Sequence, residues 1–118
     1  MDSKAAVTAL AGLAQPTRLA IFRLLVEAGP EGLSAGRIGE SLGLAPATLS
    51  FHLKELSHAG LLESKSEGRF VIYSARFDAM NALIEYLTEN CCGGSTCCDP
   101  VPLVSETVAS IPPKRRAS

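Results

Sequence analysis

The chain has 118 residues, a formal net charge of −1 and 47% apolar residues. This length predicts one domain with its own core, and no apolar run approaches the roughly 18 residues of a membrane span. The near-neutral charge does not by itself indicate a nucleic-acid partner. Arg18 and Arg23 interrupt the apolar positions near the start, and no basic segment precedes an apolar one. We therefore expect a cytoplasmic protein without a signal peptide or a membrane partner.

Two helices are predicted in the first part of the chain. Residues 5–13 are small and apolar and predict a short helix, which Gln15 and Pro16 interrupt. Pro16 suits the first turn of a second helix, where its missing N–H is not needed. That helix is apolar nearly all round and ends at Gly29 and Pro30, so we expect it at the buried centre of the domain.

The middle of the chain predicts two helices joined by a tight turn. Ser34 can cap a helix over residues 35–42. A glycine-containing turn at residues 43–45 leads to a helix that opens at Pro46 and runs to about residue 59. Two helices joined in this way form a helix-turn-helix.

A hairpin and a final helix follow. Residues 61–65 and 69–75 predict strands, and residues 66–68 predict the turn between them. A fifth helix is expected over residues 77–89. The order α-α-α-α-β-β-α, mostly α with a small β component, predicts a winged helix-turn-helix.

The chain is predicted to divide into three parts. Residues 1–90 form the winged-helix domain, residues 91–98 a cysteine loop and residues 99–118 a flexible tail. The tail contains four prolines and cannot build a core of its own.

The fourth helix has two contrasting sides. Leu49, Leu53 and Leu56 share one side and must face the core. The N-terminal half of the other side has short side chains, which suit close approach to base edges in a major groove. The candidate DNA contacts on this helix are Ala47, Thr48, Ser50, Phe51 and Lys54.

These side chains suggest different contacts with DNA. Thr48 and Ser50 can reach a base or a phosphate, Phe51 can touch a thymine methyl group, and Lys54 would contact phosphate. The alternative is a solvated helix face, but an exposed Phe51 argues against it. His52 lies nearer the core side, so we interpret it as a packing histidine rather than a base reader or metal ligand.

The predicted hairpin tip adds two candidate DNA contacts, Lys65 and Arg69. Arg69 can enter a minor groove or hold a phosphate. The alternative is an ordinary solvated turn residue.

All four cysteines lie in a CC-x4-CC cluster made of Cys91, Cys92, Cys97 and Cys98. In a reducing compartment, clustered thiols indicate soft-metal binding or redox chemistry rather than structural disulfides. Tetrahedral zinc is possible, although adjacent cysteines chelate one ion less readily than C-x2-C. Gly93 and Gly94 allow the chain to fold back. A redox pair and a staple for the tail are the alternatives.

Several stretches of this sequence resemble the ArsR/SmtB family of metal-sensing winged-helix repressors. They are LAQPTRL at residues 13–19, APATLSFHLKEL at 45–56, AGLL at 59–62, and Gly68-Arg69 followed by VIY at 71–73. The resemblance spans roughly residues 5–90. It points to the arsenic-responsive branch with a C-terminal cysteine cluster.

The resemblance implies a homodimer built on the first and last helices, which agrees with how apolar these two helices are. Such a dimer binds double-stranded operator DNA when metal-free and releases it when the inducer binds. The resemblance also implies that Ala47, Thr48, Ser50 and Phe51 face the bases and that residues 61–75 form the wing.

The family's familiar metal sites do not carry over to this sequence. Residues 33–42 match the helix on which many arsenic sensors carry Cys-x-Cys, and they contain no cysteine. The last helix offers Asp78 and Glu85 but no histidine for the family's zinc site. Sensing must therefore fall to the cysteine cluster.

We expect As(III), or Sb(III), as the inducer ion and no organic cofactor. These ions form pyramidal sites with three thiolates, and the family context favours them. Cys91 and Cys92 are the firmest ligands, with Cys98 slightly preferred over Cys97 as the third. Alternatives are a soft divalent metal (Cd, Pb or Zn) or thiol oxidation as the signal. The alternative from another class is an arsenic- or thiol-handling enzyme or chaperone. The sequence shows no nucleophile–base pair, so we expect no enzyme.

Overall fold

The structure is a computed structural model that describes residues 1–94. It divides into two units, Met1–Leu87 and a second that begins at Thr88. Its elements are α1 (Ser3–Leu13), α2 (Pro16–Ala28), β1 (Leu33–Ser34), α3 (Ala35–Leu42), α4 (Pro46–His58), β2 (Leu62–Glu67), β3 (Phe70–Ala75), α5 (Phe77–Thr88) and a 3-10 turn at Cys91–Gly94. The predicted winged helix-turn-helix is confirmed.

Side-chain caps define where the first three helices begin. The side chains of Asp2, Gln15 and Ser34 accept hydrogen bonds from backbone N–H groups three residues on, at 2.8, 2.9 and 3.2 Å. Each cap satisfies a donor that the helix itself leaves unpaired. Gly43 ends α3 in the left-handed conformation and so makes the tight turn into α4.

A short third strand was missing from the sequence prediction. β1 pairs antiparallel with β3, with Leu33 opposite Tyr73 and Ser34 opposite Ile72, so the sheet order is β1-β3-β2. Two residues are too few to show the alternating pattern by which a strand is recognised. This strand fixes the start of α3 against the wing.

The hairpin turn lies later than predicted. β2 runs to Glu67 and β3 begins at Phe70, which leaves Gly68 and Arg69 as a two-residue loop. Gly68 has a φ of 63°, the positive value that such short loops require. Lys65 therefore lies within β2 opposite Ile72, and not at the tip as predicted.

All five helices contribute buried residues to the core of the first unit, together with the base of the sheet. Its buried residues are Ala6, Ala9, Ile21, Phe22, Leu25, Ile38, Leu49, Leu53, Leu56, Leu61, Leu62, Ala75 and Leu83. As expected for the central helix, α2 contributes Ile21, Phe22 and Leu25 to this core, although Leu19 on the same helix is 43% exposed.

Apolar side chains remain exposed on α1 and α5. Val7 and Leu10 on α1 are 62% and 42% exposed, and Ile84 and Leu87 on α5 are 51% and 58% exposed. Apolar groups of this size on two helices leave surface that an association could cover.

Within the described residues, no single helix is long and apolar enough to cross a membrane. Taken together, α1 and α2 have the length and composition of a membrane span, but a bend of 101° separates the two helices.

We predict that Gly32→Ala destabilises the fold by about 2 kcal/mol or more. Gly32 has a φ of 72°, and an added Cβ would meet the backbone carbonyl oxygen of Tyr73 in β3. The control is Gly36→Ala in α3, where a Cβ meets nothing within 4 Å. Alanine there should be neutral or stabilising by about 0.5–1 kcal/mol. Urea unfolding of both variants checks this, and equal stabilities would contradict it.

Candidate nucleic-acid interface and cysteine cluster

Burial orients α4 as the sequence pattern predicts. Leu49, Leu53 and Leu56 are 4%, 2% and 0% exposed. Their spacing places them on one side of the helix, and that side packs into the core. The opposite side of α4 is therefore fixed toward the surface.

The predicted DNA contacts on α4 are brought together on this outward side. Ala47, Thr48, Ser50, Phe51 and Lys54 are all exposed. Phe51 is 55% exposed, and a large apolar ring on a polar helix face often marks a contact with a partner. The arrangement offers small polar groups, one aromatic ring and one cation along a single helix face, which are groups that read base edges and bind phosphate.

The N-terminus of α4 adds a backbone component to this face. Ala45 at its N-cap makes no side-chain hydrogen bond, and Pro46 occupies the first turn. The remaining N–H groups of that turn carry the partial positive charge of a helix start. This end of α4 is suited to a DNA phosphate.

The wing carries fewer free charges than the sequence suggests. The Nζ atom of Lys65 lies 3.4 Å from a carboxylate oxygen of Glu67, two residues along the same strand. This exposed pair reduces the positive charge that Lys65 offers to DNA. Arg69 is exposed in the loop at the tip.

Phe70 is a candidate contact that the sequence reasoning missed. It begins β3 beside the tip and is 63% exposed, and the adjacent Val71 is 43% exposed. In the sequence both residues looked like ordinary strand formers. Apolar side chains at a wing tip can press against sugars or base steps in a minor groove.

His52 is buried, as the sequence analysis expected, at 8% exposure. Its Nδ1 atom lies 3.3 Å from Nη1 of Arg18 in α2. The Nε atom of Arg18 also donates to the carbonyl oxygen of Gly12 at 2.8 Å. The sequence gives no signal for this pairing, because the residues lie 34 positions apart and share no motif.

The cysteine cluster begins in the second unit, just after α5. Cys91 is half-buried and Cys92 exposed, with their Sγ atoms 3.8 Å apart. Cys92 adopts a left-handed backbone conformation with φ 54° and ψ 36°. Both cysteines are disulfide-bonded in the structure.

The predicted ligands Cys97 and Cys98 lie outside the described residues. Within residues 1–94, no group of three or more His, Cys, Asp or Glu side chains is gathered to hold a metal. The ligand set that we predict therefore remains a prediction.

Asp78 at the start of the last helix pairs with Arg76. A side-chain hydrogen bond from Arg76, at 3.2 Å, and a second from the backbone of Ala79 lower the pKa of the Asp78 carboxyl below its usual value.

An outward helix face, a helix-turn-helix and a hairpin wing define a DNA-binding protein of the winged-helix class. A family model described as "Helix-turn-helix domain" matches residues 13–65. The HTH-type transcriptional regulator YgaV of Escherichia coli is 31% identical over 91 residues, which cover 77% of this chain and 90% of YgaV.

Solved structures agree with this class. The structure of HlyU from Vibrio cholerae has a TM-score of 0.61 and 31% identity, and the match covers 78% of this chain and 99% of HlyU. An ArsR-like transcriptional regulator from Rhodococcus has a TM-score of 0.64 and 27% identity, and the match covers 71% of this chain and 76% of that regulator. The chain belongs to the ArsR-like family of winged-helix transcriptional regulators.

We predict that Lys54→Ala weakens DNA binding with a change in salt dependence. Losing one phosphate contact should reduce the slope of log K against log salt concentration by about 0.9. The control is Lys4→Ala on α1, which removes the same charge away from α4 and should leave the slope unchanged. Fluorescence anisotropy across a salt series checks both. Equal slopes for the two variants would show that Lys54 does not contact a DNA phosphate.

Proposed function

We propose that this protein is a metalloid-responsive transcriptional repressor. It binds operator DNA as a metal-free homodimer and releases the DNA when As(III) or Sb(III) binds thiolates of the cysteine cluster. The observation that carries the metalloid part is the CC-x4-CC cluster directly after α5, which places four cysteines within eight residues. Since its relatives are transcriptional regulators, an enzymatic role is disfavoured.

The chemistry of the cluster supports binding of a soft ion. Thiolates select soft ions over magnesium or calcium, and four cysteines lie within residues 91–98. The Sγ atoms of Cys91 and Cys92 lie 3.8 Å apart while both cysteines are disulfide-bonded. Their disulfides must be reduced before an ion can bind.

A homodimer is supported by the exposed apolar groups on α1 and α5. Val7, Leu10, Ile84 and Leu87 are each between 42% and 62% exposed, and burying them in an interface is favourable. A two-fold dimer presents two copies of α4 to an inverted-repeat operator.

The proposed switch couples the cluster to DNA through α5. An ion that joins Cys91 and Cys92 to a third thiolate closes a loop at the end of α5, one of the two proposed dimer helices. This changes the relation between the two copies of α4. A coupling free energy of about 1–3 kcal/mol lowers operator affinity roughly 5- to 150-fold. By reciprocity, bound operator weakens ion binding by the same factor.

We predict that the double variant Cys91→Ser, Cys92→Ser keeps operator affinity and loses release by arsenite, because serine preserves size but is a poor ligand for a soft ion. Anisotropy or gel shift with DNA upstream of the gene, in a thiol reductant, measures both properties. Glu89→Ser in the same exposed segment is the control and should respond like the wild type. If the double variant still dissociates on arsenite addition, the cluster is not the sensor.

Thiol oxidation is the second candidate signal. The observation that favours it is that Cys91 and Cys92 are disulfide-bonded. One HlyU structure from Vibrio cholerae is described as the reduced protein, with 32% identity and a TM-score of 0.59. Each disulfide forms as two thiols give up two protons and two electrons, and a peroxide that accepts them is reduced to water or alcohol.

We predict that arsenite and peroxide distinguish the two signals. Metalloid sensing requires that fully reduced protein releases DNA on arsenite addition, while cadmium and zinc have weaker effects. Release by peroxide but not by arsenite, reversed by dithiothreitol, would establish oxidation as the signal. Mass spectrometry of the same samples counts bound ions and free thiols and so assigns each release to its chemistry.

A further inference from the structure

His52 stands out on α4 because it is the one buried polar or charged side chain in residues 1–94. It lies between Phe51, on the outward face, and Leu53, in the core. The rings of His52 and Phe51 meet edge-on, with centroids 5.3 Å apart and an interplanar angle of 63°. The position of His52 therefore influences that of the exposed aromatic ring beside it.

The contact with Arg18 has a defined direction. A guanidinium group has donors and no acceptor, so Nδ1 of His52 must accept across the 3.3 Å contact.

Arg18 is itself held from two directions. Its backbone N–H donates to the side chain of Gln15 at 2.9 Å, and its Nε donates to the carbonyl oxygen of Gly12 at 2.8 Å. Both partners lie at the corner between α1 and α2. Arg18 thus connects this corner directly to the middle of α4.

A second contact joins the same corner to the end of α4. A Cβ atom added at Gly12 would lie 2.8 Å from the Cβ atom of Ala59, so the backbone of α1 passes very close to the residue that ends α4. Two points of attachment, at His52 and at Ala59, determine both the direction of α4 and its rotation about its own axis.

We infer that Arg18 and His52 are positioning residues for operator recognition. Their hydrogen bond sets the rotation of α4 against the corner of α1 and α2, which determines whether Phe51 and Ser50 meet base edges. The core leucines alone leave this rotation less defined, because apolar contacts are not directional. The inference rests on the proposed binding of DNA by α4.

The test compares two substitutions of His52. His52→Asn keeps an acceptor near the position of Nδ1, whereas His52→Leu keeps the bulk and removes the acceptor. We expect His52→Leu to bind operator at least about tenfold more weakly, the scale of one hydrogen bond to a charged group. His52→Asn should restore most of the affinity. Binding to non-specific DNA should stay nearly unchanged, because it depends on phosphate contacts.

Ile21→Val in the buried core is the matched control for general destabilisation. It lowers the midpoint of urea unfolding and should leave the ratio of operator to non-specific affinity as in the wild type. All affinities refer to protein that circular dichroism shows to be folded. The inference is overturned if His52→Leu keeps the wild-type ratio of operator to non-specific affinity. It is also overturned if His52→Asn loses as much operator affinity as His52→Leu.

A spectroscopic measurement tests the hydrogen bond without DNA. Long-range ¹H–¹⁵N correlation spectra should show Nδ1 of His52 unprotonated, and Arg18→Lys should shift its resonance. A hydrogen on Nδ1 would overturn the inference. A wild-type protein that binds no operator would instead overturn the proposed function, so the two failures are distinguishable.

Discussion

The burial of one side of α4 is the constraint on which the rest of the molecule depends. Leu49, Leu53 and Leu56 each lose nearly all contact with water, and burying a leucine side chain contributes about 1.5–3 kcal/mol. Because these residues recur at helical spacing, their burial forces the remaining side of α4 outward. The exposed Phe51 and Lys54 are thus a consequence of core packing, and the face that we propose for DNA contact follows from the same residues that stabilise the fold.

A single polar contact refines this apolar constraint. His52 is buried on the core side, where an unpaired ring nitrogen would be unfavourable. Arg18 supplies the donor and is tied in turn to Gly12 at the end of α1. Apolar packing supplies most of the stability, whereas the directional bond selects one orientation. The recognition helix is therefore coupled to the corner of α1 and α2 as well as to the core.

The cysteine cluster depends on a different kind of local structure. Spacing rules disfavour two adjacent cysteines as ligands of one ion, yet their Sγ atoms lie 3.8 Å apart. Cys92 also has a left-handed backbone conformation, which residues other than glycine adopt rarely. Sequence reasoning identified the four cysteines that we propose as soft-ion ligands. It could not predict that the Sγ atoms of two of them lie 3.8 Å apart.

The sequence by itself determined the five helices, the hairpin and the two sides of α4, because helical and strand periodicity are properties of neighbouring residues. Only the tertiary structure decided the short strand β1 and the pairing of Arg18 with His52. β1 exists because β3 offers it a free edge, and His52 is paired because folding brings α2 against α4. Such contacts join residues far apart in the chain, so no local pattern encodes them.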